Sequence, residues 1–190
     1  MQVNPVVFES FPLLRTQRLL LREIRPSDAS KIFEMRSDRR VNRFIARTGM
    51  EDEQQAEQLV EKTISAYRNR LGIGWAAERE ENGKIIGTCG FNRIDFQNLR
   101  AEIGGELSVD YWGKRLAREA VEAIVHFGFH TMNLHSIEAR VSPGNRSAIF
   151  LLESLGFKKE AHFKEVIFFN GKFLDMAVYS LVGGVVNVPE

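Results

Sequence analysis

The chain has 190 residues, 44% hydrophobic and 27% charged, with a formal net charge of +1. That length suits one domain, and the apolar content suffices for a packed core rather than a disordered chain. The balanced charge gives no global pull toward nucleic acid or an anionic membrane, one cysteine excludes a disulfide framework or a multi-cysteine zinc site, and no apolar run is long enough to span a bilayer.

Residues 1–14 read as an irregular lead-in without the basic start and apolar stretch of a secretory signal, so a soluble cytoplasmic protein is expected. Residues 18–24 read as a strand, and Ser27 or Asp28 as the cap of a following helix. A second helix is expected from about Glu51, because Ala56, Leu59, Val60, Thr63, Ile64 and Tyr67 recur at three- and four-residue steps. Strands 73–78 and 85–94 flank Asn82-Gly83, a hairpin signal. Residues 102–109 follow as a strand in which Gly104-Gly105 suggests a bulge or a close backbone approach. A helix is predicted from about Gly113 to His130, a strand over 135–141, and a short helix from Asn145 to Gly156. Strands 160–169 and 173–181 close on Asn170-Gly171, and 183–190 read as a loose tail. Hairpins mixed with helical crossovers imply an α+β protein, a mixed sheet with helices on both faces.

The informative stretch is 107–120, where a strand enters a glycine-containing turn and becomes a helix. The first turn of a helix leaves amides without partners and carries partial positive charge, which suits phosphate. Lys114 and Arg118, four apart, read as sharing a face toward such a ligand, although a plain strand–turn–helix with solvated basic side chains fits the spacing equally well. Asn145 follows the next strand, where its amide can cap a helix and also serve a ligand.

Four stretches together resemble the GNAT superfamily of N-acetyltransferases, in the branch that includes ribosomal-protein N-terminal acetyltransferases. They are residues 14–22 around Thr16-Gln17-Arg18; 85–91 around Gly87-Thr88-Cys89-Gly90; 101–107 leading into Tyr111-Trp112-Gly113-Lys114; and Asn145 through Gly156-Phe157. The resemblance covers roughly residues 14–182, taken as a single domain from about residue 15. It implies a three-layer fold with a mostly antiparallel sheet and one splayed parallel strand pair. It also implies acetyl-CoA as cosubstrate, no metal, and an amine acceptor, either a protein N-terminus or a small molecule. The pantetheine arm would pair with the backbone around Leu107, Ser108 and Val109. The pyrophosphate would sit on Trp112, Gly113, Lys114, Arg115, Leu116, Ala117 and Arg118, with Asn145 contacting the arm.

Two departures stand out. Arg115 occupies the place of the family's second loop glycine; entry into a right-handed helix needs no positive φ, so its N–H can donate if the side chain points outward, whereas an inward side chain would block the phosphate or bind it directly. Leu152 stands where many relatives carry a tyrosine that protonates the leaving thiolate, an acid often missing in the N-terminal acetyltransferase branch too. The alternative to catalysis is a non-catalytic or regulatory acyl-CoA-binding module. Dimers are common among resembling proteins, but no stretch of this sequence shows an interface.

An amine attacks a thioester only when neutral. With pKa values of about 7.7–8.0 for an α-amine and about 10.4 for lysine, about a tenth of the former and about one part in a few thousand of the latter is neutral at pH 7. A direct transfer with modest base assistance is therefore feasible. Glu106 is the first candidate for that base and Glu102 the second; without a bulge both face one side of the strand. Backbone N–H groups near Leu107 are candidates for the developing oxyanion. His126, His130, His135 and His162 lack metal-like spacing, and Cys89 reads as a small core residue. Trp75, Phe127, Phe129, Phe150 and Phe157 read mainly as core, whereas some of Phe44, Phe91 and Tyr111 are candidates to line an acceptor pocket.

Overall fold

The structure, a computed structural model, describes residues 2–183. Eight strands form one sheet in the order β1-β2-β3-β4-β5-β6-β8-β7. They are β1 (Leu14–Arg15), β2 (Leu19–Glu23), β3 (Ile73–Arg79), β4 (Ile85–Asp95), β5 (Arg100–Leu107), β6 (Ser136–Val141), β7 (Lys158–Phe169) and β8 (Lys172–Val182). All neighbours are antiparallel except β5 and β6. Five α-helices complete the fold: α1 (Ala29–Ser37), α2 (Arg39–Asn42), α3 (Glu53–Arg68), α4 (Leu116–His130) and α5 (Arg146–Ser154). None is long and apolar enough to cross a membrane.

The sheet has a core on each face, as the mixed patterning requires. On one, Leu116, Ala120, Ile124 and Phe127 of α4 pack with Trp75, Phe91 and Leu21. Trp75 is fully buried and meets Phe127 edge-on at 5.6 Å. On the other, Ala56 and Val60 of α3 and Ile32 of α1 close over Ala76 and Ile85. The predicted period of α3 is the reason: Ala56, Val60 and Tyr67 fall on its buried stripe, and the Asp52 side chain accepts from the Gln55 amide at its start.

Four local expectations change. Residues 5–8 form a 3₁₀ turn, and the lead-in is tied down: Trp75 Nε1 donates to Pro12 O at 2.7 Å and Tyr67 Oη to Val7 O at 3.1 Å. The single turn α2 escaped the sequence because four residues show no period. Gly104 and Gly105 sit in regular register opposite Gly90 and Cys89, and the bulge lies on β4 between Phe91 and Arg93, facing Ile103 and Glu102. The close backbone approach is at Gly105, where a Cβ would stand 2.8 Å from Thr88 O. Finally, the Gly183 N–H donates to His135 O, so the predicted loose tail starts from an anchored residue, and the rest of it lies outside the described residues.

Candidate active site

The parallel pairing of β5 with β6 stops at Glu102 opposite Glu138. Beyond it residues 103–107 and 139–141 part. β6 cannot follow β5, because its other edge is held by β8 along its whole length, from Ser136 opposite Val182 to Val141 opposite Ala177. The gap opens into a cleft of about 1990 Å³. The Ser108 amide donates to Ile86 O on β4 at 2.8 Å, so alternation along the strand turns the Leu107 backbone groups away from β4 and toward the gap. The Leu107 carbonyl there accepts from Trp112 Nε1 at 2.8 Å. Of the predicted arm-binding residues Leu107 lines the cleft; Ser108 and Val109 turn aside and do not.

At the mouth of the gap the chain reaches α4 through two left-handed residues, Gly113 (φ +74°) and Arg115 (φ +60°). The helix begins at Leu116, three residues later than predicted, with Arg115 as its cap and the Glu119 amide bonded to Arg115 O at 3.2 Å. The expectation that residue 115 would avoid positive φ is thereby corrected. The loop takes a left-handed residue here and an arginine bears the steric cost, about 1–2 kcal/mol for an L-residue. Among the described residues, the amides of 113–118 have no protein partner. The Arg115 side chain is exposed, lines the cleft and forms no ion pair among the described residues. Lys114 and Arg118 do not share a face, because residue 114 precedes the helix. The Lys114 ammonium lies 5.2 Å from the Tyr111 ring centre, outside the cleft lining. Arg118 lines the cleft but is tied to Glu122 at 2.9 Å and to Ser154 Oγ at 3.0 Å.

The loop is braced from the start of the sheet. The Glu119 carboxylate accepts from Thr16 Oγ1 at 2.6 Å and from the amide and Nε of Arg18, each at 2.7 Å, while Arg18 also donates to Lys114 O at 3.1 Å. Burial works to raise the Glu119 pKa, but the bonds from Thr16 and Arg18 outweigh it and hold the carboxyl below its usual range.

Glu102 and Glu106 share a face of β5, as predicted, but their surroundings differ. Glu106 is 4% exposed at the side chain and carries a guanidinium on each oxygen: Arg36 from α1 and Arg47 from the α2–α3 segment. Thr88 Oγ1 adds a bond at 3.3 Å. Burial depresses the Arg36 pKa, Glu106 opposes that, and the like charge of Arg47 adds to it. Glu102 is bound by Arg140 of β6 at 3.2 Å. Sequence reasoning missed Arg36, Arg47 and Arg140. The one available signal was the density of arginine, five between residues 36 and 47.

Asn145 caps α5 through Oδ1, which accepts from the Ala148 amide at 3.2 Å, and its Nδ2 has no partner among the described residues. Leu152 is buried in the core. Burial pushes the Cys89 thiol up to about 12, so it is held neutral. His126 and His130 stack on one another, and His162 pairs with Asp175. Phe150 is 74% exposed, against the core expectation, and Phe91 is 1% exposed and belongs to the core, whereas Phe44 and Tyr111 border the cleft.

A sheet forced open between two parallel strands, with bare helix-head amides at its mouth, defines a protein built to hold a phosphorylated ligand along a strand edge. Residues 18–158 match the family model described as acetyltransferase (GNAT) domain. An uncharacterized N-acetyltransferase of Bacillus subtilis, YoaA, is 36% identical over 90% of this chain and 97% of its own. The crystal structure of a GNAT-family acetyltransferase from Bacillus anthracis superimposes with a TM-score of 0.80 at 25% identity, covering 90% of this chain and 98% of that one. RimJ of Mycobacterium smegmatis, solved in complex with CoA-disulfide, has a TM-score of 0.80 at 20% identity, covering 94% and 88%. The chain belongs to the GNAT family of acetyltransferases.

Proposed function

We propose that the protein transfers the acetyl group of acetyl-CoA to a primary amine, on a protein N-terminus or a small molecule, by direct attack. The observation that carries this reading is the run of amides at 113–118, without partners among the described residues, beside the open strand edge. Amides 116–118 and the exposed Arg115 suit the pyrophosphate, and the Leu107 edge and Asn145 Nδ2 suit the arm. The CoA group in the RimJ complex supports the same use of the fold.

The amine nitrogen attacks the thioester carbonyl; a C–N bond forms and the C–S bond breaks. Charge developing on the carbonyl oxygen is met by the Leu107 N–H, which faces the gap. The proton lost by the amine goes to Glu106, directly or through a water. Glu106 Oε1 accepts from both Arg36 and Thr88, whereas Oε2 accepts only from Arg47 and keeps a lone pair, so the carboxylate can still accept there. Glu102, bound by Arg140, is second in line. With Leu152 at the tyrosine position, the thiolate leaves as an anion, its pKa near about 8.5, and takes its proton from solvent. An α-amine needs less of this assistance than a lysine.

The test has two stages. CoA should raise the melting temperature, and acetyl-CoA with a panel of amines should release thiol. Glu106→Gln should then lower kcat at least ten-fold and flatten the acid limb of the pH–rate profile. An unchanged profile discards Glu106 as base; a shift without thiol release discards transfer.

A further inference from the structure

The cleft is lopsided in charge. Ten of its lining side chains are Lys or Arg, and two, Glu106 and Asp175, are acidic. In a chain of net charge +1 that asymmetry belongs to the cleft and not to the surface as a whole. The phosphates of the cosubstrate answer for the cations at the α4–α5 end, Arg115, Arg118 and Arg146. They do not answer for the opposite wall.

There Arg36 and Arg47 share a single carboxylate, so their cluster with Glu106 carries a surplus positive charge. Arg36 uses only Nε on Glu106, and its two terminal nitrogens have no partner among the described residues. Arg47 spends Nε on Asn42 Oδ1 at 2.7 Å and one terminal nitrogen on Glu106, which leaves the other. The guanidinium of Arg43 lies 5.1 Å from the Phe44 ring centre, with no carboxylate in ion-pair reach among the described residues. A half-buried surplus cation with unspent donors is unfavourable until an anion arrives. The depressed pKa of Arg36 reflects the same lack of compensation.

We propose that the acceptor is a primary amine that also carries a carboxylate or phosphate group, and that Arg36, Arg47 and Arg43 hold that anion while the amine faces the thioester. This deepens the acetyl-transfer reading and rests on it. Planar guanidinium forks match either oxyanion, and a polyamine would bring two or more cations against this wall.

Matched acceptors test the proposal with acetyl-CoA: phosphoethanolamine against ethanolamine, a peptide with an acidic second and third residue against its lysine counterpart, and spermidine. The small-molecule and peptide arms separate the two sources of the anion. The anionic member of at least one pair should be favoured ten-fold or more in kcat/KM. That preference should fade between about 50 and about 500 mM salt, as ionic screening demands. Arg36→Gln disturbs Glu106 and risks the fold, so the exposed Arg43→Gln is the second variant; it should cut the anionic-to-neutral ratio at least three-fold. Spermidine or neutral amines acetylated as well as anionic ones overturn this proposal and leave acetyl transfer standing. If no acceptor releases thiol, the transfer reading fails, and calorimetry on the CoA-loaded protein decides the proposal. Binding of phosphoethanolamine or the acidic peptide, weakened by Arg43→Gln, upholds it; no binding of either overturns it.

Discussion

The cluster around Arg22 and the cluster around Glu106 are opposites in charge and in completeness. Arg22 sits between two carboxylates, bonding Asp28 twice at 2.8 and 2.9 Å and Glu78 at 2.5 Å, with Glu23 O at 2.8 Å. Arg22 and Asp28 are buried, and every guanidinium nitrogen has a partner. Glu106 sits between two arginines whose remaining donors open on the cleft. The first arrangement is closed and ties β2 to β3 and to the start of α1. The second is unfinished, and an unfinished polar cluster at a cleft reads as a place for something to bind. Ion pairs alone do not distinguish strut from site; the count of unspent donors does.

Removing the centre of the closed cluster should have the largest effect. Arg22→Ala leaves Asp28 and Glu78 uncompensated, and a denaturant titration should show a loss of about 3–5 kcal/mol with no change in kcat of the folded fraction. A loss confined to activity would reverse the roles assigned to the two clusters. The contrast between filled and unfilled groups recurs at the head of α4, where Glu119 is saturated and the neighbouring amides are bare. There Arg115→Gly should be more stable than Arg115→Ala by about 1 kcal/mol, because only glycine takes a left-handed φ without strain. Equal melting temperatures for the two would mean residue 115 bears no strain. The smallest effect is a pH dependence. The Glu119 pKa is lowered in the folded protein, so its bonds stabilise fully above the ordinary carboxylate value of about 4.3. That contribution is lost as pH falls through the lower folded value. The advantage of wild type over Glu119→Gln should therefore shrink between pH 7 and pH 3, read from denaturant midpoints.

Local signals were legible and tertiary ones were not. Asn170-Gly171 gives a hairpin because both residues take positive φ, at +48° and +74°, which that pair tolerates. Arg115 gives no such signal, because arginine is disfavoured at the φ it adopts; the register of the loop overrides its preference. The helix start was misplaced for the same reason. Glu106 was readable from its strand position beside the expected thioester. Its partners were not, since Arg36 and Arg47 reach it from α1 and from a segment with no regular period, and only packing brings them to β5.

The strand order has a consequence for biosynthesis. β8 follows the other seven described strands in the chain, yet it inserts between β6 and β7 and holds β6 in place. Until residues 177–182 dock along 136–141, one bank of the cleft has no backbone support on its outer edge. Contacts of such sequence separation form late in folding, so a nascent chain that has already emitted its helix-head loop and its glutamate has no cleft to put them in. Competence arrives only with residues 177–182, and a protein cut at the end of the family-matched segment, at residue 158, would lack it.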